Sequence, residues 1–454
     1  MRTTKFTFII FLLGLFTLPS VATDFYWRTN PVDMNFTNTA NWVTDPAEIG
    51  LTGTVLPSKP TNYPTSSDNV HFTSALTANR TLTSTAVAQM DTLFFEADAN
   101  FEFRFTINVY GNIQSNGKLQ VTANNTGYVN MVGSKNATID LGTDTPVLFG
   151  DGFTVNKPGA QVELVNHDLN LIASTYGGHY FTLTAGDFYS NGKNITVPIV
   201  IFSVVPVDLI GTILTLTKPT GTSRFCTGIY NCDIVSNNAT IETDLNVQFK
   251  SLTLNHATAT TIVPINPTCV FSIDNLIVNT PALSFLKGGA YNQEFTYSSI
   301  TISDTLTLQR ASNITVNANI YNPLLSCLLN VKGIKIIPTN CAQQSSLAGY
   351  GALTFKATGD PLTTANLTYK NINFDTTGAT VTASEGDDGG QNSGKVVWTP
   401  ETPQDFYWIG GTGQWNVPAN WAIGSFAGTP ATCAPTAIDN VFLMTMADRP
   451  IKLS

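Results

Sequence analysis

The densest run of oxygen-bearing side chains in this 454-residue sequence is Glu385-Gly386-Asp387-Asp388-Gly389-Gly390. Two chemistries suit such a run. Paired carboxyl groups cleave sugar linkages when they flank the bond or work beside a cation, and flexible acidic loops hold calcium through oxygen ligands. No histidine or Arg-x-Lys partner accompanies the run, so catalysis is not expected there. Calcium on Glu385, Asp387 and Asp388 stays open beside the blander reading of a solvated turn. A second constellation is aromatic: Trp27, Trp42, Trp408, Trp415 and Trp421 could form a stacking platform for sugars or pack as a cap over the first strands, and packing is the favoured reading.

The other reactive residues are scattered. Of six cysteines, Cys226 with Cys232 and Cys327 with Cys341 are close enough in sequence for local disulfides; free, buried thiols are the alternative for each pair. The histidines, His71, His167, His179 and His256, lie far from any cysteine pair, and zinc spacing is absent. No GxSxG, HExxH, phosphate-binding or dinucleotide-binding fingerprint occurs. No enzyme activity and no cofactor are therefore expected, calcium being the one exception left open. Rows such as Thr215-Leu216-Thr217 and Thr305-Leu306-Thr307 could suit an ice-binding face, but they read more simply as the outward sides of alternating strands.

Strands are the only periodic element available to position these residues. From about Phe72 to Val397 short alternating runs are bounded by Asn, Gly, Asp and Pro, as in Phe101–Val109, Lys118–Thr122, Gln161–Val165, Tyr180–Thr184, Ile213–Thr217, Ser251–Asn255 and Ser299–Leu308. Asn116-Gly117, Asp151-Gly152, Gly177-Gly178, Asn191-Gly192 and Gly288-Gly289 read as turns, since Gly and Asn accept positive φ. Few two-residue hairpins join strands of matched length, and apolar runs such as Ile199–Val205 suit strands buried in a continuous core. The expected fold is all-β, a right-handed parallel β-helix or β-solenoid; tandem antiparallel β-sandwiches are the alternative.

Composition and the N-terminus bound the setting. Charged residues are 12% of the chain and hydrophobic ones 43%, with a net charge of −9, which allows a core and argues against nucleic acid or anionic membrane as partners. Arg2 and Lys5 precede an apolar run to Leu18, followed by Ser20-Val21-Ala22. That is the pattern of a signal peptide over residues 1–22, too short for a membrane span, and no transmembrane segment is expected in the mature chain.

An internal repeat is the most specific feature. Asp24-Phe25-Tyr26-Trp27 returns about 380 positions later as Asp405-Phe406-Tyr407-Trp408, and Ala40-Asn41-Trp42 as Ala419-Asn420-Trp421. Pro64–Val70 then matches Pro435–Val441 in the same order. The expected organisation is a module-start cap region at 24–72, a solenoid body at 73–398, a linker at 399–404, and the start of a second, truncated module at 405–454. On this reading the chain is a fragment of a longer protein.

These motifs resemble the module starts of a family of very long, modular surface and secreted proteins of the Bacteroidetes, which open with a pattern like YWxGGxGxW…NW followed by PTxxDxVxF. The second copy, Tyr407-Trp408-Ile409-Gly410-Gly411-Thr412-Gly413-Gln414-Trp415, is the closer match; the first replaces the glycines with Arg28 to Asn35. The resemblance implies export to the cell surface and an adhesive or matrix role toward extracellular glycans or proteins. A polysaccharide-binding or polysaccharide-degrading β-helix protein is the alternative.

Overall fold

The computed structural model describes residues 22–443 except 30, 53–55, 73–79, 96–99, 104, 116–119, 122–127, 143–146, 149–151, 173–179, 204–206, 219–220, 239, 267–268, 286–296, 309–312, 318–326, 337–344, 351–352, 360, 365–366, 385–387, 400–402, 412, 432–433 and 436–438. The signal-peptide reading falls outside these residues. No helix among them is long and apolar enough to cross a membrane.

The fold is all-β, and parallel pairing dominates it. One ladder runs through strands Ile107–Val109, Tyr128–Val132, Gly152–Leu164, Tyr180–Tyr189, Ile199–Phe202, Thr222–Phe225, Thr240–Thr243, Thr260–Pro264, Ala282–Phe285, Asn313–Asn317, Ser345–Tyr350 and Leu367–Lys370, each parallel to the next. A second ladder joins Ile213–Leu216, Gly228–Ser236, Asn246–Asn255, Cys269–Asn279, Tyr297–Leu308, Cys327–Ile336 and Leu353–Ala357 in the same way. Paired residues are separated by one turn of the coil, from 18 positions (Thr222 opposite Thr240) to 33 (Ile314 opposite Leu347). Hairpins cannot produce such offsets, because parallel neighbours require a crossover. The sandwich alternative is thereby excluded: among the described residues, antiparallel pairs occur only near the two module starts.

Alternation explains each strand. In Asn246–Asn255, Val247, Phe249, Leu252 and Leu254 point inward while Gln248 and Thr253 face out. The pattern skips a beat in the middle, and register shifts recur there in the neighbouring strands, between Tyr230 and Asp233 and between Ile302 and Thr305. These irregularities are bulges that bend one strand around a corner so that it serves two faces. Several strands therefore run longer than the sequence pattern suggests: Gln161–Val165 is the tail of Gly152–Leu164, and Ser251–Asn255 the tail of Asn246–Asn255. Phe101–Val109 instead divides into Asn100–Phe103 and Ile107–Val109.

One apolar core runs from Phe25 to Ala383. Its spine is a chain of phenylalanines, Phe153, Phe181, Phe202, Phe225, Phe249 and Phe271, with successive centroids 5.0–6.2 Å apart. Asn191 and Gly192 form the expected turn with φ of 51° and 73°. Gly152 does not; it begins a strand.

The two module starts fold alike. Trp27 pairs with Trp42 and Trp408 with Trp421, both antiparallel; Asp24 pairs with Asn69 and Asp405 with Asn440, both parallel. The second start has its own small cluster of Phe406, Trp408, Trp421 and Ala431.

Candidate functional site

The tryptophans do not form a ligand platform. Trp27, Trp42 and Trp421 are fully buried, Trp408 is 7% exposed, and Trp415 is half-buried against Trp421. Edge-to-face contacts at 4.8 Å join Trp27 to Trp42 and Trp408 to Trp421, so these four offer no broad ring face to a sugar. The conserved spacing within the two copies has a hydrogen-bond cause. Trp42 Nε1 donates to Phe36 O and Trp421 Nε1 to Trp415 O, each at 2.8 Å and each six residues back.

Asn41, buried beside Trp42, uses its whole amide. Its Oδ1 accepts from the Val32 and Asp33 N–H groups at 2.8 and 3.2 Å, and its Nδ2 donates to Asp33 Oδ1 and Asn35 O at 2.7 and 2.8 Å. Burial alone would raise the Asp33 carboxyl, but hydrogen bonds from Asn41, the Asn35 N–H and Asn38 outweigh it and hold Asp33 below its ordinary value. In the second copy a Cβ on Gly410 or Gly413 would collide with the Asn420 side chain, which is why glycine recurs there. Trp408 Nε1 donates to Gly411 O at 3.1 Å in that glycine loop. The first copy lacks the loop, and among the described residues its counterpart Trp27 Nε1 has no partner.

The proposed local bridge between Cys226 and Cys232 is corrected by the structure. Both are free thiols, as are Cys269 and Cys327. The Tyr230 hydroxyl donates to Cys226 O at 3.1 Å and lies 3.4 Å from Cys226 Sγ, while Cys232 turns into the core. Cys341 lies outside the described residues. Burial pushes the Cys232 and Cys327 thiols up to about 12, so neither is an activated nucleophile.

Of the acidic loop, Glu385 and Asp387 lie outside the described residues. Asp388 Oδ1 accepts from the Gly390 N–H at 2.9 Å and Asn392 Nδ2 at 2.7 Å. Asn392 in turn donates to Tyr369 O at 2.7 Å, so this carboxylate closes a turn against the preceding coil. Among the described residues no three His, Cys, Asp or Glu side chains converge as a metal would need. The threonine rows behave as alternation dictates: Leu216 and Leu306 are buried, and Thr215, Thr305 and Thr307 face outward.

Among the described residues, a groove on the first ladder departs from the polar outward rows, and it was not identified from the sequence. The groove, of about 440 Å³, is walled by Tyr180, floored by Ile199 and Ile201, and bordered by Thr222, Arg224 and Glu242. Arg224 donates from Nε at 2.8 Å and pairs through Nη2 at 2.7 Å with Glu242 Oε2. Below its corner Asn238 is buried, donating to Lys218 O at 2.6 Å and accepting from Ser223 Oγ. That polar knot fixes the chain where it turns into strand Thr222–Phe225. The available sequence signal was modest: Phe181 and Leu183 inward put Tyr180 outward. Its neighbours arrive only through pairing across whole coils.

No protein-family model, no curated protein and no solved structure matches this chain.

Proposed function

We propose that this chain is a non-enzymatic, secreted or cell-surface structural and adhesive repeat protein that presents an extended β surface to extracellular glycans or proteins. The observation that carries the reading is a single core, Phe25 to Ala383, inside a parallel ladder whose outward positions are largely polar, with Thr prominent among them. A solenoid of this kind satisfies its backbone by stacking and devotes its side chains to one core and one wall. The apolar N-terminal run and the likeness of the module starts to modular Bacteroidetes surface proteins support export. Calcium at Glu385, Asp387 and Asp388 remains part of the proposal only as a stabiliser of the loop.

The test is to culture the producing cell, recover the protein and sequence its mature N-terminus, then measure binding to glycans, matrix proteins and cells beside polymer chain length. Export with a start at Thr23 and binding without chain shortening supports the reading. New reducing ends released from any polysaccharide overturn it. Polysaccharide binding is the second reading, favoured by the groove beside Tyr180.

A further inference from the structure

We infer that the outward row beginning at Tyr128 is a binding track for a neutral, extended pyranose chain lying across the strands; the inference rests on the adhesive reading above and deepens it. Register places Tyr128 opposite Gly152, Gly152 opposite Tyr180, and Tyr180 opposite Ile199. The two tyrosines are 44% and 39% exposed. A Cβ on Gly152 would stand 3.2 Å from Tyr128 Cδ1. Glycine therefore lets the Tyr128 ring settle against the neighbouring strand, and this close approach is what Gly152 provides at the start of its strand.

The spacing selects the ligand. Tyr128 and Tyr180 lie two strands apart, about 9.6 Å at the usual strand separation, close to the two-residue repeat of an extended β-1,4-linked sugar chain. Pyranose rings offer apolar C–H faces to the tyrosines and to the half-buried Ile201, beneath which Ile199 is buried, and a rim of hydroxyls to polar neighbours. The polar border fits that rim: Arg224, Glu242 and Lys218 line it and supply donors and acceptors, and Arg224 and Glu242 cancel each other's charge. Strand Ile199–Phe202 is hydrogen-bonded on both sides, so a peptide has no free strand edge here to join. Further along the row Thr240, Thr261, Ser284 and Thr315 continue in register, extending the track with hydroxyls.

The test uses the mature protein and calorimetric titration with β-1,4-linked gluco-, manno- and N-acetylglucosamine hexaoses, with a polyuronate of equal length as the charged comparison. At least one neutral hexaose binds, and Tyr180→Ala and Tyr128→Ala each weaken it about tenfold or more. Gly152→Val, which displaces the Tyr128 ring, weakens it similarly while the thermal midpoint stays within a few degrees. Ile229→Ala, at a 60% exposed position on the second ladder, leaves affinity unchanged. Binding that survives both tyrosine variants, or preference for the polyuronate, overturns the track and leaves the adhesive reading standing. Binding to cells or matrix proteins with no hexaose bound does the same. A protein that binds no glycan, protein or cell sinks both.

Discussion

Replacing Trp42 with alanine tests the claim that the module-start tryptophans hold the fold. The indole is fully buried, touches Trp27 at 4.8 Å, Phe36 at 5.0 Å and Phe72 at 6.0 Å, and donates one hydrogen bond. A buried indole removes roughly 200 Å² from water, which at about 25 cal/mol/Å² is about 5 kcal/mol as an upper bound. Partial collapse of the site lowers that figure, and the lost hydrogen bond adds about 1 kcal/mol, so Trp42→Ala should destabilise the cap by about 4 kcal/mol. Because each coil contacts mainly its neighbours, the loss stays local. Hydrogen exchange read by mass spectrometry should show protection falling about a thousandfold in strands Asp24–Trp27 and Asn69–Phe72, with Asn246–Asn255 unchanged. Trp42→Phe keeps most of the packing and should cost only about 1–2 kcal/mol. Cap protection within threefold of the parent in Trp42→Ala, combined with lost glycan binding, would refute the packing account.

Other substitutions and pH probe separate parts of the structure. Asn41→Ala strips four hydrogen bonds from the cap loop and should cost about 2–4 kcal/mol, seen as a lowered urea midpoint for cap unfolding; a change under 0.5 kcal/mol would show the network to be dispensable. Gly394 has a φ of +87° and a Cβ there would strike the Phe374 carbonyl, so Gly394→Ala should lose about 3 kcal/mol or more in thermal melts. Lys157 is buried, with Nζ donating to Tyr110 O and Val132 O at 2.7 and 2.8 Å. Burial lowers it to about 8, with Asp91 opposing and Lys135 reinforcing the fall. An unfolded lysine titrates near ~10.4, so between the two values the unfolded chain binds more protons and stability should rise with pH. Lys157→Met should flatten that rise in urea midpoints measured from pH 7.5 to 10.5, and should lower the baseline by about 1–3 kcal/mol through the stranded carbonyls.

The fold class was legible because alternation and turn residues are local signals: Tyr180–Thr184 and Ile213–Thr217 could be read without knowing their partners. The repeat was legible for the same reason, and its two copies adopt the same register. Strand length was not, since Gln161–Val165 continues a strand that starts at Gly152 and bends through a bulge, where alternation breaks. Gly152 was read as a turn because its dipeptide has turn chemistry, whereas its role is to make room for Tyr128 one coil earlier. Cys226 and Cys232 looked bridgeable by separation alone, which says nothing about Tyr230, whose hydroxyl engages Cys226, or about the burial of Cys232 in the core. The groove shares this property: Tyr180, Arg224 and Glu242 become neighbours only across three full coils.

The central claim is that coils stack in parallel, one strand spacing at a time, into a single scaffold. Pulsed dipolar spectroscopy measures it directly, with spin labels on cysteines replacing Thr222 and, in turn, Thr315 or Ala348 in the same outward row. Four and five strand steps predict backbone separations of about 19 and 24 Å, rising by one spacing between the two pairs. Separations that do not increase from the first pair to the second would contradict the parallel stack and everything built on it.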